Sequence, residues 1–146
     1  MPDEPRTGRR YVAPGQVVAA ERAARFAAAV GGAGGAFSPT EVPPTFAAVY
    51  CLEPTLAQVF ADPELGIQLA GLIHAEQSFE WPVPVHAGDV VDAAAEVASI
   101  ETKRGLTFVT LILEATNQTG ATVCRGRSLL LMRGERQVSA ASGDGG

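Results

Sequence analysis

The stretch LIHAEQSFEW, residues 72–81, decides the fold class of this chain. In an extended backbone, every second side chain points to the same side of the strand. One side is then predicted to carry Ile73, Ala75, Gln77, Phe79 and Trp81, and the other Leu72, His74, Glu76, Ser78 and Glu80. This period of two predicts a β-strand. Pro82 and Pro84 predict its end, because proline cannot donate to a strand ladder.

Three more strands are predicted downstream, and short turns separate them. They are expected at residues 90–100, 106–116 and 121–132. The connecting turns contain Gly88, Gly105 and Gly120, and glycine is favoured where a turn needs a positive φ. Together the four segments predict an antiparallel meander.

The first half of the chain predicts helices instead. Residues 16–30 are rich in alanine and are followed by Gly31, which predicts a helix that stops at glycine. Residues 31–44 are predicted as a loop, because glycine and proline recur there too often for regular structure.

A second helix is predicted from about Pro44, where proline is tolerated in the first turn. It is apolar on most sides, so it is expected to be buried. Pro54 is predicted to kink or break this helix, with a second short helical segment at residues 55–60.

An apolar helix followed by four antiparallel strands indicates an α+β domain in which a curled sheet wraps around one helix. The domain is predicted over residues 8–133, with flexible tails at residues 1–7 and 134–146. Open sheets have exposed edges, and pairing an edge with a second copy or a related subunit is a common remedy. The sequence therefore predicts a dimer.

Composition argues against several classes of function. The 146 residues carry a net charge of −5 and their basic residues are scattered, so no nucleic-acid partner is expected. No apolar run approaches the roughly 20 residues of a membrane span, and residues 1–5 do not resemble a signal peptide, so a cytoplasmic location is expected.

Cys51 and Cys124 have no neighbouring ligand at metal-binding spacing. They are expected to be buried free thiols, and no metal or cofactor is predicted.

Several motifs occur in an order that resembles one family. They are Gly8-Arg9-Arg10-Tyr11, the helix end RFAAAVG at residues 25–31, Pro43-Pro44-Thr45-Phe46, the strand HAEQSFE at residues 74–80, and a terminal hairpin with Asn117 and Gly120 at its tip. Together they resemble the MaoC-like (R)-specific enoyl-thioester hydratases and 3-hydroxyacyl-thioester dehydratases. The resemblance implies a single hot-dog fold, and it is closest to hydratase subunits that work as heterodimers.

Active members of that family carry Asp, Asn-Pro and His in the loop after the first helix. Hydration of an α,β-unsaturated thioester needs one group to activate water and one to handle the proton on the α-carbon. The corresponding loop here, GGAGGAFSPTEV at residues 31–42, contains neither Asp nor His. The histidines of the chain are His74 and His86, outside this loop. The resemblance therefore implies a chain without the catalytic pair.

The residues Pro44, Thr45 and Phe46 are candidates for substrate binding, because they match the start of the family's central helix. Backbone N–H groups and the helix dipole at such a position can hold a carbonyl or phosphate oxygen. The alternative is an ordinary buried helix start.

His74 and Glu76 form the remaining ionisable pair. At positions i and i+2 of a strand they are expected to project from the same face. They are weak catalytic candidates, as a general base with its carboxylate partner, and His74 is also a candidate for lining an acyl-binding crevice. The alternative is a polar strand face or a hydrogen-bonded histidine at a subunit interface.

Three functions follow as hypotheses. The first is a non-catalytic, acyl-binding and structural subunit of a heterodimeric hydratase or dehydratase, whose hot-dog partner supplies Asp and His. Its substrate would be a thioester of coenzyme A or of acyl carrier protein. The second is a hot-dog acyl-CoA thioesterase in which Glu53 activates water. The third is a non-enzymatic homodimer that binds an acyl ligand.

Overall fold

The computed structural model describes residues 6–31 and 42–133 of the chain. In chain order the regular elements are β1 (Arg10–Val17), α1 (Ala20–Gly31), a 3-10 turn (Pro44–Phe46), a π-helical turn (Ala48–Leu52), α2 (Glu53–Ala61), β2 (Ile73–Glu80), β3 (Val90–Lys103), β4 (Leu106–Thr116) and β5 (Thr122–Arg133). None of the helices in these ranges is long and apolar enough to cross a lipid bilayer.

The five strands form one sheet in the order β1-β3-β4-β5-β2, and every neighbouring pair is antiparallel. The predicted meander of four strands is confirmed for β3, β4 and β5, but it is wrong for β2, which pairs with β5 and not with β3. The predicted helix at residues 16–30 begins instead at Ala20, because Gln16 and Val17 belong to β1 and pair with β3. The sequence analysis missed β1, in which the buried Tyr11 and Ala13 alternate with exposed neighbours.

The core lies between the concave face of the sheet and the central helix, residues 44–61. At one end Phe46, Ala47 and Cys51 of the helix pack with Val91 and Leu113 of the sheet. At the other end the helix contributes Val59, which joins a cluster that also contains Tyr11, Leu65, Val97, Ile100, Val109, Leu111, Leu130 and Met132. The α+β architecture predicted from the sequence, a curled sheet around one apolar helix, is confirmed.

Pro54 does not break the central helix, so the predicted break was wrong. The turn before the proline is π-helical, and the Glu53 N–H donates to the carbonyl of Ala48, five residues back. A wider turn relieves the clash that a proline ring makes with the carbonyl four residues before it. The buried Thr55 hydroxyl then donates to the Cys51 carbonyl at 2.7 Å, which satisfies an acceptor in the altered turn. The helix continues without a gap to Ala61.

A charged cluster fastens β1 to the end of α2. Asp62 accepts hydrogen bonds at 2.8 Å from the Arg9 guanidinium and at 2.8 Å from the Tyr11 hydroxyl. Arg9 also pairs with Glu64 at 2.9 Å. The bond from Tyr11, followed by those from Arg9 and the backbone, lowers the pKa of Asp62. Burial, followed by the bond to Asp62, raises the pKa of Tyr11 to about 12.

Gly126 is required where β5 meets β2. It lies opposite Phe79 in the antiparallel register. A Cβ at this position would lie 2.8 Å from a Phe79 ring carbon and 2.8 Å from the Ser78 carbonyl oxygen. The aromatic ring therefore occupies the space that a side chain would need.

Substitution of Gly126 by Ala is expected to destabilise the fold by about 1–3 kcal/mol, the usual cost of overpacking. The midpoint of urea unfolding measures the loss. Gly126→Ala should cost less stability in a Phe79→Leu protein than in the wild type, because the smaller leucine side chain can move aside. A Gly126→Ala protein as stable as the wild type would contradict the steric account.

The stability that Asp62 contributes should vanish in acid. The pKa of Asp62 is lower in the folded protein than the ordinary pKa of an aspartate. The stabilising contribution of Asp62 is therefore complete at pH values above the ordinary pKa, and it is lost as the pH falls through the pKa of the folded state. Below about pH 4, the thermal midpoint of the wild type should therefore fall more steeply than that of Asp62→Asn. Glu64→Gln serves as the control, because Glu64 is largely exposed. Parallel pH profiles for wild type and Asp62→Asn would exclude this role.

Candidate functional site

An apolar groove opens between the start of the central helix and the segment that follows β2. Its cavity has a volume of about 70 Å³. The groove is lined by Val42, Pro43, Pro44, Tyr50, Trp81, Val83, Pro84 and Val85. The polar side-chain groups of this lining are the Tyr50 hydroxyl and the Trp81 indole N–H, and neither carries a charge at neutral pH. Such a lining suits a hydrocarbon chain or another apolar ligand.

The prolines after β2 shape one wall of the groove. Pro82 and Pro84 cannot extend the strand, so the chain leaves the sheet after Glu80. Trp81 then packs against Phe79 with ring centroids 5.7 Å apart. Trp81 remains 37% exposed and Val83 36%, so both can contact a ligand in the groove.

The opposite wall is the start of the central helix, where three substrate-binding residues were predicted. Pro44 lines the groove, whereas Phe46 is buried behind it and packs edge-on against Phe26 at 5.2 Å. Thr45 is exposed and is not among the lining residues. The Phe46 N–H donates to the Pro43 carbonyl at 2.9 Å, and the two prolines have no N–H. This helix start therefore offers the groove chiefly an apolar surface.

His74 and Glu76 do not share a face, so this part of the prediction was wrong. A β-bulge at Ala75 interrupts the pairing of β2 with β5, so that His74 lies opposite Leu130 and Glu76 opposite Leu129. Because Leu130 points into the core, His74 lies on the inner face of the sheet. Glu76 lies on the outer face, where it forms an ion pair of 3.7 Å with Arg127.

On the inner face, His74 belongs to a short chain of polar groups. Its Nε2 lies 2.9 Å from Gln77 Oε1, and the buried Ser128 hydroxyl donates to the same oxygen. Since an amide oxygen only accepts, His74 donates this hydrogen bond through Nε2–H. His74 is not among the residues that line the apolar groove. Within the described part of the chain its side-chain partner is thus Gln77, and the predicted carboxylate partner, Glu76, lies on the opposite face.

Sequence reasoning missed the cluster of Tyr50, Cys51 and Cys124 beneath the groove. Both cysteines are 0% exposed, and Tyr50 is 3% exposed. The pKa of the Cys51 thiol is raised by its hydrogen bond with Cys124 and by burial. Burial, followed by the nearby thiols, raises the pKa of Tyr50 far above its ordinary value. Tyr50 is consequently a neutral hydrogen-bond donor in the groove wall and cannot act as a base at neutral pH.

Two further predictions concern residues outside this arrangement. Glu53, the thioesterase candidate, is exposed and does not line the groove. The loop predicted to lack the catalytic pair falls, at residues 32–41, outside the described residues. Among residues 6–31 and 42–133, no group of three or more His, Cys, Asp or Glu side chains is placed to hold a metal ion.

Residues 7–125 match the family described as FAS1-like, dehydratase domain region. The chain belongs to this family. Among curated proteins, a UPF0336 protein of Saccharopolyspora erythraea is 34% identical over 92 residues, which cover 63% of this chain and 58% of that protein. This dehydratase-like chain thus spans about three fifths of the length of that relative. A UPF0336 protein of Streptomyces coelicolor is 28% identical over 149 residues, covering 93% of this chain and 98% of its own length.

Solved structures confirm the hot-dog fold of this FAS1-like dehydratase chain. The truncated HadBC (3R-hydroxyacyl-ACP dehydratase) complex of Mycobacterium tuberculosis superposes with a TM-score of 0.69 at 22% identity, over 86% of this chain and 96% of that one. The (R)-hydratase of A. caviae superposes with a TM-score of 0.55 at 28% identity, over 88% of this chain and 96% of that one. The chain thus shares its fold with the HadBC dehydratase and with the A. caviae (R)-hydratase, as the sequence motifs implied.

The buried thiols generate a prediction about reactivity. At neutral pH an aromatic disulfide reagent should react with neither Cys51 nor Cys124 in the folded protein, because both are buried and the thiolate of Cys51 is disfavoured. Both thiols should react once urea unfolds the chain, with a midpoint that matches unfolding. A Ser78→Cys variant is the control, since its exposed thiol should react at once. Rapid modification of either natural cysteine in the folded protein would contradict this prediction.

Proposed function

We propose that this chain is the non-catalytic, acyl-binding subunit of a heterodimeric (R)-specific enoyl-thioester hydratase or 3-hydroxyacyl-thioester dehydratase. The observation that carries the proposal is an apolar groove beside the central helix whose described lining offers no group able to take up a proton. A hot-dog partner chain would supply the Asp and His, and the substrate would be a thioester of coenzyme A or of acyl carrier protein.

The chemistry explains why a partner is needed. Reversible hydration requires a group that activates water and a group that exchanges a proton with the α-carbon, and each is typically worth about 10²–10⁴ in rate. Residues 31–42 correspond to the loop that carries these groups in active members of the hydratase family. In this chain that loop contains neither Asp nor His. Tyr50 remains protonated at neutral pH, because its pKa is strongly raised. The groove can therefore bind and orient an acyl chain but cannot perform both proton transfers.

The relatives support an assembly of two different chains. The M. tuberculosis structure with which this chain superposes is a HadBC complex of a 3R-hydroxyacyl-ACP dehydratase. By analogy, this chain would close the partner's sheet and shape the space for the acyl group. The thioesterase alternative is less favoured, because Glu53 is exposed on the helix and does not line the groove.

The first test is purification of the tagged full-length chain from its native host under gentle conditions. We expect a stoichiometric hot-dog partner that carries Asp, Asn-Pro and His. The pair should hydrate a short enoyl-CoA, whereas this chain alone should not. A homodimer recovered without a partner would overturn the proposal and favour the non-enzymatic acyl-binding alternative. Hydrolysis of acyl-CoA by the isolated chain, abolished by Glu53→Gln, would instead establish a thioesterase.

A second test addresses the groove itself. A charged side chain in an apolar site weakens the binding of an apolar ligand, because the charge must lose its water. Val83→Arg should therefore lower kcat/KM of the assembled pair by about tenfold or more. Val90→Arg is the matched control, since Val90 is 39% exposed but does not line the groove. Trp81, the single tryptophan of the chain, gives an independent fluorescence signal for acyl binding. Equal activity and equal fluorescence titrations for the two variants would show that the groove does not bind the substrate.

A further inference from the structure

The apolar groove has an open mouth and a closed floor. Its mouth is lined by the exposed residues Pro44, Trp81, Val83 and Pro84. Its floor is lined by the buried residues Pro43, Tyr50 and Val85. An acyl chain whose thioester and carrier remain in solvent must therefore enter beside Trp81 and point its end towards Tyr50.

Tyr50 is the longest side chain of the floor, and it extends from the groove to the inner face of the sheet. Its hydroxyl is hydrogen-bonded to the sulfur of Cys124 on β5, which is buried. Its ring packs against that of Phe46, with centroids 6.3 Å apart and the planes tilted by 52°. Tyr50 is only 3% exposed. The ring itself therefore separates the groove from the sheet beneath it.

The sheet makes room for this ring with one row of small side chains. The π-helical turn that carries Tyr50 lies against β1, β3 and β4. There the antiparallel register aligns four small residues across β1, β3, β4 and β5, namely Ala13, Ala93, Ala115 and Cys124. All four are buried in the same core cluster as Tyr50. At the other end of the core, the corresponding row contains the large residues Ile100, Val109 and Leu130. Removal of the Tyr50 ring would therefore open a space with small apolar walls, continuous with the groove.

The open part of the groove has room for a short hydrocarbon segment. Its volume is about 70 Å³. For comparison, an apolar cavity of about 150 Å³ in a protein core holds one benzene molecule, which has six carbon atoms. By this measure the groove takes about three carbon atoms. That is the length of hydrocarbon beyond the carbonyl of a four-carbon acyl group.

We propose that Tyr50 is a specificity-determining residue, whose ring closes the groove and limits this chain to thioesters of short acyl groups of about four carbon atoms. An acyl chain of about eight carbon atoms would have to occupy the space that the ring fills. This inference deepens the proposed function and rests on it, because it names the substrate class that the acyl-binding groove accepts.

Binding of saturated acyl thioesters to the full-length chain tests this limit without any chemical step. Butyryl-CoA and octanoyl-CoA are the probes, and the fluorescence of Trp81, the single tryptophan, follows each titration from the mouth of the groove. The wild type should bind octanoyl-CoA no more tightly than butyryl-CoA. Tyr50→Ala should bind octanoyl-CoA about tenfold or more tightly than butyryl-CoA, because each buried methylene group is worth about fourfold in affinity.

Three further variants separate a longer groove from a loosened fold. Tyr50→Leu removes only part of the side-chain volume, so it should shift the preference in the same direction by less, and it replaces Tyr50→Ala if that variant does not fold. Tyr50→Phe keeps the ring and should keep the wild-type preference. Leu65→Ala creates a cavity in the other half of the core, where Leu65 is 1% exposed, and should also keep that preference. Circular dichroism confirms that each variant folds.

Two results would overturn the inference. One is a wild type that binds octanoyl-CoA more tightly than butyryl-CoA. The other is an unchanged preference in the folded variants of Tyr50 that lack the ring. Either result leaves the proposed function standing, because the groove would still bind an acyl thioester. The absence of saturable binding of both thioesters to the wild type would instead refute the acyl-binding role, and the inference with it.

Discussion

The central helix is apolar on most of its surface, and the rest of the fold depends on covering it. A flat sheet would cover one side, so the five strands curl around the helix and pack against it at both ends. The helix must also tolerate Pro54 in its middle, which it does through one wide turn and the Thr55 hydroxyl bond. That turn carries Tyr50 and Cys51 inward. The altered helical geometry thus sets both the packing of the core and the wall of the groove.

Strands β2 to β5 were the most predictable part of the chain, because alternation and turn glycines are local signals, whereas β1 was missed. The turn before β3 agrees with the prediction made from Gly88, which has a positive φ of 95°. The effect of Pro54 was not predictable, because a helix can widen a turn as well as break. The bulge at Ala75 left no mark in the sequence, since alanine is common in regular strands. The contact of Cys51 with Cys124 depends on how the helix seats on the sheet.

In the proposed assembly the work of an enzyme is divided between two similar chains. Here the groove beside the central helix retains apolar walls and a neutral tyrosine, and its described lining carries no charged group. A chain freed from holding catalytic groups can be shaped for the length and branching of an acyl chain. Its partner then keeps the geometry that proton transfer demands. Substrate range and chemistry can change separately in such a pair.

The single extra residue at Ala75 has an evolutionary consequence. It places His74 and Glu76 on opposite faces of β2, although their spacing matches that of neighbours on one face. An alignment that carries β2 across relatives without a gap therefore equates core-facing positions with solvent-facing ones. Loss of that one residue would make the pairing regular and leave Glu76 on the outer face, whereas regular pairing that kept Ala75 would exchange the two faces beyond it. The bulge therefore decides which side chains of β2 beyond it face the core and which face solvent.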